Sequence, residues 1–205
     1  MAPAMEGTTP IRYFDRDFRI EAVKILPGQY YAGSGHGAIT TVLGSCVATC
    51  LWDPLRRIGG MNHFMLPGDG EAVASPVAPS ARFGVYAMEV LINEMIRLGA
   101  ERKRMVAKAF GGGRVLQMNG ALDVGAKNSR FVIDFLATEG IPVVAQDLLD
   151  VYARKVHFFP ETGKVQLKKL HILPNDTVNQ REREYQSRLD HSPAGGEVEI
   201  FQRTR

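Results

Sequence analysis

Thr40-Thr41-Val42-Leu43-Gly44-Ser45-Cys46-Val47-Ala48-Thr49-Cys50-Leu51-Trp52-Asp53-Pro54-Leu55-Arg56-Arg57-Ile58-Gly59-Gly60-Met61-Asn62-His63-Phe64-Met65-Leu66-Pro67 decides how the chain folds. The apolar run Val47 to Trp52 meets Asp53-Pro54, a turn starter with a preset backbone angle, and a second apolar run goes from Ile58 to Leu66. This is the signature of a β-hairpin. With Pro54 and Leu55 as the central pair of the turn, Asp53 faces Arg56 and Cys46 falls opposite His63. Facing residues of an antiparallel pair project to one side with Cβ atoms roughly 4.5–5.5 Å apart, close enough for a thiol and an imidazole to meet. A bulge at Gly59-Gly60 would shift that register by one residue and turn His63 to the other face.

Upstream of the hairpin, residues 1–20 show no apolar periodicity and read as a flexible N-terminal arm that docks through Tyr13, Phe14 and Phe18. Val23 to Ile25 and Tyr30-Tyr31 read as a first strand interrupted by Pro27-Gly28, and Ile39 to Val42 as the next. Downstream, residues 68–80 carry Gly and Pro and form a long loop after the histidine strand. Val85, Met88, Leu91, Ile92, Met95 and Ile96 then recur at three and four, with Gly99 as the stop, so Phe83 to Leu98 is an amphipathic helix.

Met105 to Phe110 reads as a strand ending in Gly111-Gly112-Gly113. A second helix spans Val124 to Thr138, with Asp123 near its start and Gly140 as terminator, and a strand follows at Ile141 to Ala145. Val156 to Phe159 and Val165 to Leu167 make a late hairpin. Beyond Leu173 the chain turns highly charged, with Arg181-Glu182-Arg183-Glu184 reading as a solvated helical face, and Val198 to Phe201 as an edge strand or partner-binding tail. The expected fold is α+β (mixed α/β): one layered sandwich domain with a mixed β-sheet, at least two core helices and β-hairpins. It spans 21–173, between the arm and a charged C-terminal extension at 174–205.

The chain has 205 residues, 45% of them hydrophobic and 23% charged, with a net charge of +3 spread along its length. That is an ordinary globular composition without the concentrated basic stripe of a nucleic-acid binder. The N-terminus lacks a basic start followed by an apolar run, and no segment approaches the roughly 18 apolar residues of a membrane span, so a cytoplasmic protein is expected. The two cysteines, Cys46 and Cys50, lie along one face of a strand, too far apart for an unstrained disulfide, and read as free thiols.

Gly44-Ser45 lets the backbone turn before Cys46, leaving amides that could cradle an oxyanion. An imidazole beside a thiol can draw off its proton and make it a nucleophile. His63 is the imidazole the register offers, and the Thr40 hydroxyl could hold its other nitrogen if the chain folds back through Gly44; Asn62 points away by alternation. On spacing alone, however, the burial of small free cysteines outweighs this chemical role. Gly111-Gly112-Gly113 lacks the Lys-Ser/Thr of a phosphate loop and reads as a tight strand-end turn or as backbone admitting a substrate near Cys46. A zinc site from Cys46, Cys50, His36 and His63 lacks the paired spacing of known structural sites. His157, Met88, Met95 and Met105 sit at packing positions, and His171 and His191 lie in polar surroundings that need no function.

Leu43 to Val47, Gly60 to Pro67, Tyr86 to Asn93, Lys108 to Gly113, Val124 to Asn128 and Arg154 to Pro160 together resemble the CheD family of bacterial chemotaxis, the chemoreceptor glutamine deamidases. The likeness spans roughly residues 22–175. It implies a cysteine-dependent protein-glutamine amidohydrolase with Cys46 as nucleophile, His63 as base and acid, and Thr40 as orienting hydroxyl, Thr41 being the neighbouring candidate. Gly44, Ser45, Gly111 and Gly112 are the expected substrate or oxyanion contacts, with no metal and no cofactor. The implied partners are the cytoplasmic domains of methyl-accepting chemoreceptors and a CheC-type phosphatase, so the protein would work beside membrane receptors without inserting into the bilayer. The alternative is a non-catalytic regulatory module that binds those partners without turnover.

Overall fold

The computed structural model describes residues 10–67, 79–115, 124–170 and 177–191. The expected tail strand Val198 to Phe201, His171 and residues 68–78 of the long loop lie outside them, as does the His191 side chain. In chain order come β1 (Ile11–Asp15), β2 (Ile20–Lys24), β3 (Tyr30–Ser34), β4 (Ala38–Leu43), β5 (Val47–Asp53), β6 (Ile58–Asn62) and α1 (Pro79–Arg97). A 3-10 turn at Arg102–Arg104 precedes β7 (Val106–Gly111), α2 (Val124–Thr138), β8 (Val143–Leu148), β9 (Ala153–Phe159), β10 (Lys164–Leu170) and α3 (Thr177–His191).

The strands form two five-stranded mixed sheets, ordered β1-β2-β4-β9-β10 and β3-β6-β5-β7-β8. Each sheet is antiparallel except for one parallel pair, β2 with β4 and β7 with β8. Alternation along β5 explains the layering. Ala48 and Cys50 face the first sheet and pack with Ile39, Leu43, Val156 and Phe158. Val47 and Leu51 face the other way, onto Met88, Leu91 and Met95 of α1 and Val132 and Leu136 of α2. The molecule is thus three layers, sheet on sheet on helices, and each fully buried Leu, Ile or Met contributes about 1.5–3 kcal/mol of transfer free energy.

Three sequence expectations change here. The segment read as one interrupted strand is two, because the chain leaves the first sheet after β2 and enters the second at β3. Residues 11–15, expected inside a loose arm, pair antiparallel with β2 as a sheet edge. The hairpin register is also different: Asp53 pairs with Ile58, not Arg56. Asp53 itself sets the wider turn, its carboxylate accepting from the Leu55 and Arg56 amides at 3.0 and 3.1 Å, while Arg57 takes a left-handed φ of 52° to close a four-residue loop.

No bulge interrupts β5 and β6 at Gly59-Gly60, where the pairing runs unbroken from Cys50↔Met61 to Asp53↔Ile58. The glycines serve close approach instead. A Cβ on Gly59 would sit 2.7 Å from the Phe158 ring, and one on Gly60 2.7 Å from Leu91 Cδ1, so a layer presses on each face of the sheet. The register moved by two, which preserves parity: Cys46 and His63 become diagonal neighbours on one face instead of facing partners.

Candidate active site

The site lies at the end of the sandwich where the chain crosses between the sheets. The crossover from β4 to β5 is Gly44-Ser45-Cys46, and the crossover from β2 to β3 passes beneath His63. Its Gly28 amide donates to the His63 carbonyl at 2.7 Å, and the His63 amide donates to the Gln29 carbonyl at 2.9 Å. Val47 and Phe64 exchange two hydrogen bonds beside it. At the end of β6, the Asn62 side chain points away from His63, as alternation predicts. It accepts from the Thr49 amide at 2.9 Å and donates to the Ala87 carbonyl of α1 at 2.9 Å.

The His63 ring is buried, and its Nδ1 lies 2.7 Å from the hydroxyl of Thr41. That hydroxyl donates its only proton to the Ile25 carbonyl at 2.9 Å, so towards the ring it accepts, and Nδ1 carries the hydrogen. Nε2 is left as a bare lone pair, buried and without a hydrogen-bond partner among the described residues. Thr40, the hydroxyl expected here, faces the other side of β4 and meets the Tyr13 hydroxyl at 3.2 Å. The reason is the period of two: Ile39 and Leu43 point between the sheets, and Thr41 points with them.

Cys46 is fully buried, and its amide together with those of Gly44 and Ser45 forms a concave row of donors. A carboxylate fills that row, and it comes from α3. Glu182 Oε1 accepts from the amides of Gly44 (2.8 Å) and Cys46 (3.1 Å), and Oε2 from the amide (2.9 Å) and hydroxyl (2.7 Å) of Ser45. The run expected to be a solvated face therefore sends Glu182 inward, with Tyr185 and Leu189 buried beside it on the same helix face. A Cβ on Gly44 would run into the Val115 side chain and come within 2.8 Å of the Glu182 carboxylate, so the position is tight on both sides. Burial, and then the adjacent Glu182 charge, push the Cys46 thiol well above its ordinary pKa. Burial pushes His63 down to about 3. With α3 docked, the pair is a neutral thiol and a neutral imidazole.

Cys46, His63 and Glu182 place a sulfur, a ring nitrogen and a carboxylate oxygen within 4.8 Å of one another, a spacing that a metal ion could use. Both Glu182 oxygens, however, are each engaged by two donors. An array of N–H groups aimed at one point stabilises an anion and disfavours a cation. The donors hold an anion next to a thiol and an imidazole, groups of the kind that acyl transfer uses.

Comparison with known proteins places the chain in a family. The signature described as CheD chemotactic sensory transduction matches residues 65–169. A Dechloromonas aromatica protein, "Probable chemoreceptor glutamine deamidase CheD 1", is 57% identical over 190 residues, covering 93% of this chain and 94% of its own. A Shewanella oneidensis protein of the same name is 53% identical over 192 residues, 94% of this chain and 93% of its own. The chain belongs to the CheD family. A further relative, "Probable chemoreceptor glutamine deamidase CheD" of Methylobacillus flagellatus, is 52% identical over 200 residues and spans 97% of this chain and 98% of its own.

Within this CheD chain, Gly111 and Gly112 lie behind the cysteine loop and not at its mouth. Gly112 donates its amide to the Cys46 carbonyl at 2.8 Å, and Gly113 donates to the Gly44 carbonyl at 2.7 Å. Gly112 has a left-handed φ of 64°, and a Cβ there would meet the Gly125 carbonyl at 2.7 Å. The triple glycine thus lets α2 press against the back of the loop. From α2, buried Asn128 donates to the Ser45 carbonyl and accepts from the Leu66 amide, both at 2.9 Å, tying the cysteine loop to the histidine segment. Spacing gave no signal for this link, since Asn128 is only one polar residue among several on its helix.

Proposed function

We propose that this CheD-family chain is a protein-glutamine amidohydrolase that converts glutamine side chains of methyl-accepting chemoreceptors to glutamate in the cytoplasm. The observation that carries the reading is the buried Cys46 thiol within 4.8 Å of a His63 ring nitrogen and beside three amides that converge on one carboxylate; the relatives' names supply the substrate. Among the described residues no helix is long and apolar enough to cross a membrane.

In the reaction, Nε2 takes the Cys46 proton and the sulfur bonds to the carboxamide carbon. The oxygen takes up negative charge in the cradle of the Gly44, Ser45 and Cys46 amides. The His63 imidazolium returns its proton to the amide nitrogen, the C–N bond breaks and ammonia leaves. Water, losing a proton to Nε2, then attacks the thioester, and the C–S bond breaks to give glutamate and free Cys46. Thr41 keeps Nδ1 protonated so that Nε2 stays available.

Incubation with receptor cytoplasmic fragments, read by mass spectrometry, tests the proposal. A gain of about one dalton at specific glutamines is expected. Binding without any gain would instead favour a regulatory module that acts by occupancy on receptors or a CheC-type phosphatase.

A further inference from the structure

Glutamate is the product of the proposed reaction, and a glutamate side chain already lies in the amide cradle. Its carboxylate occupies all three loop amides and the Ser45 hydroxyl, and its charge lies beside Cys46. It is presented on a helix. Tyr185 and Leu189, three and seven residues further on, join the inter-sheet core cluster as the anchors of an amphipathic face, with Glu182 set in the same stripe. Outside that stripe the helix exposes polar and charged side chains, among them Gln180, Arg181, Arg183, Glu184, Ser187 and Arg188. This is how a docked ligand helix holds its groove, through a few anchors at helical spacing. A narrow crevice runs along the contact, between Ile25, Pro27, Thr41 and His63 on one side and Val178 and Arg181 of α3 on the other.

Resting on the deamidase reading, we infer that α3 is a resident product analogue. It occupies the groove that takes a substrate helix, with Glu182 where the substrate glutamine goes and Tyr185 and Leu189 where that helix places apolar residues at the third and seventh positions beyond. Two consequences follow. Substrate and α3 exclude each other, so the docked chain is self-inhibited, and the affinity for substrate is lowered by the fraction of molecules in the closed form. The substrate is also defined more narrowly, as an amphipathic helix with glutamine in its buried stripe. The docked state agrees chemically, since the Glu182 charge next to the sulfur opposes formation of a thiolate.

The full-length Glu182→Gln protein is the test, because it puts a carboxamide at the cradle. The protein is expected to deamidate itself: with water consumed and ammonia released, residue 182 gains about one dalton, read by mass spectrometry of chymotryptic peptides. The rate is independent of protein concentration, and the gain is absent in the Cys46→Ala, Glu182→Gln double variant. An intact amide in a preparation that deamidates receptor fragments overturns the inference and leaves the deamidase reading standing. If neither amide is converted, the deamidase reading fails, and with it the identification of α3 as a product analogue.

A second arm is independent of turnover. In the full-length Tyr185→Asp, Leu189→Asp variant, iodoacetamide labelling of Cys46 is expected to rise at least tenfold, with Cys50 labelling unchanged and the circular-dichroism signature of the two sheets retained at the labelling temperature. Unchanged Cys46 labelling would show that α3 does not cover the site and would overturn the inference.

Discussion

Two buried carboxylates stand at opposite ends of β5, and they are held in different ways. Asp53, at the hairpin end, accepts from the amides of Leu55, Arg56 and Glu101 and forms a two-pronged pair with Arg104, whose Nε and Nη2 lie 3.2 and 2.9 Å away. Glu182, at the cysteine end, is held by three amides and one hydroxyl. The Asp53 carboxyl is held down to about 2, because the Arg104 and amide hydrogen bonds outweigh the cost of its burial. A carboxylate with its own guanidinium is a fixture of the fold. A cradle of neutral donors accepts any oxygen that is negative or becomes so, whether carboxylate, amide oxygen or tetrahedral oxyanion, and its occupant can therefore be exchanged.

Substitutions at the two ends should separate these roles. The larger effect is expected at the cysteine end, where His63→Gln removes the proposed base and should lower kcat for receptor-fragment deamidation by about 10²–10⁴-fold. Next is the Thr41→Val variant, which loses the acceptor that fixes the His63 tautomer and should lose roughly tenfold or more in kcat. Thr40→Val, on the opposite face of the same strand, should stay close to wild type. Equal losses from both threonines would contradict the assignment of the ring to Thr41.

At the hairpin end, Arg104→Met leaves Asp53 buried without its cation. The melting temperature should fall by roughly 5–10 °C, while the ratio of Cys46 to Cys50 labelling stays unchanged. A change in that ratio would show that the two ends are coupled.

The smallest expected effect is on the pH dependence of stability. His63 titrates at about 3 in the folded chain and near the ordinary imidazole value when unfolded, so between these limits the unfolded state binds the additional proton. The stability it contributes is fully present above about pH 6.5 and is lost as the pH falls towards 3. Melting curves between pH 6.5 and 5 should fall more steeply for wild type than for His63→Gln. Asp53 titrates lower still, outside that window.

The same comparison shows what local sequence can express. Asp53-Pro54 announced its turn, and the bounds of α2 followed from periodicity and stop signals. Cys46 and His63 were placed on one face because a two-residue error in register preserves parity. Thr41 was legible in principle, since Ile39 and Leu43 mark the inward phase of β4. The split between β2 and β3 was not, because two short apolar runs beside Pro27-Gly28 look alike whether they share a sheet or not. Glu182 was hidden by its neighbours: in Arg181-Glu182-Arg183-Glu184 it looks solvated, and only the stripe of Glu182, Tyr185 and Leu189 separates it from the other charges. Its partners, Gly44 to Cys46, lie more than a hundred residues away, beyond any local pattern.

The central claim is that Cys46 is the nucleophile. Ammonia release and mass gain, measured side by side for wild type and Cys46→Ala on the same receptor fragment, test it most directly. Wild type is expected to release one ammonia for each dalton gained, and Cys46→Ala to release none while keeping the wild-type melting temperature to within a few degrees. Ammonia released by Cys46→Ala at the wild-type rate would contradict the account.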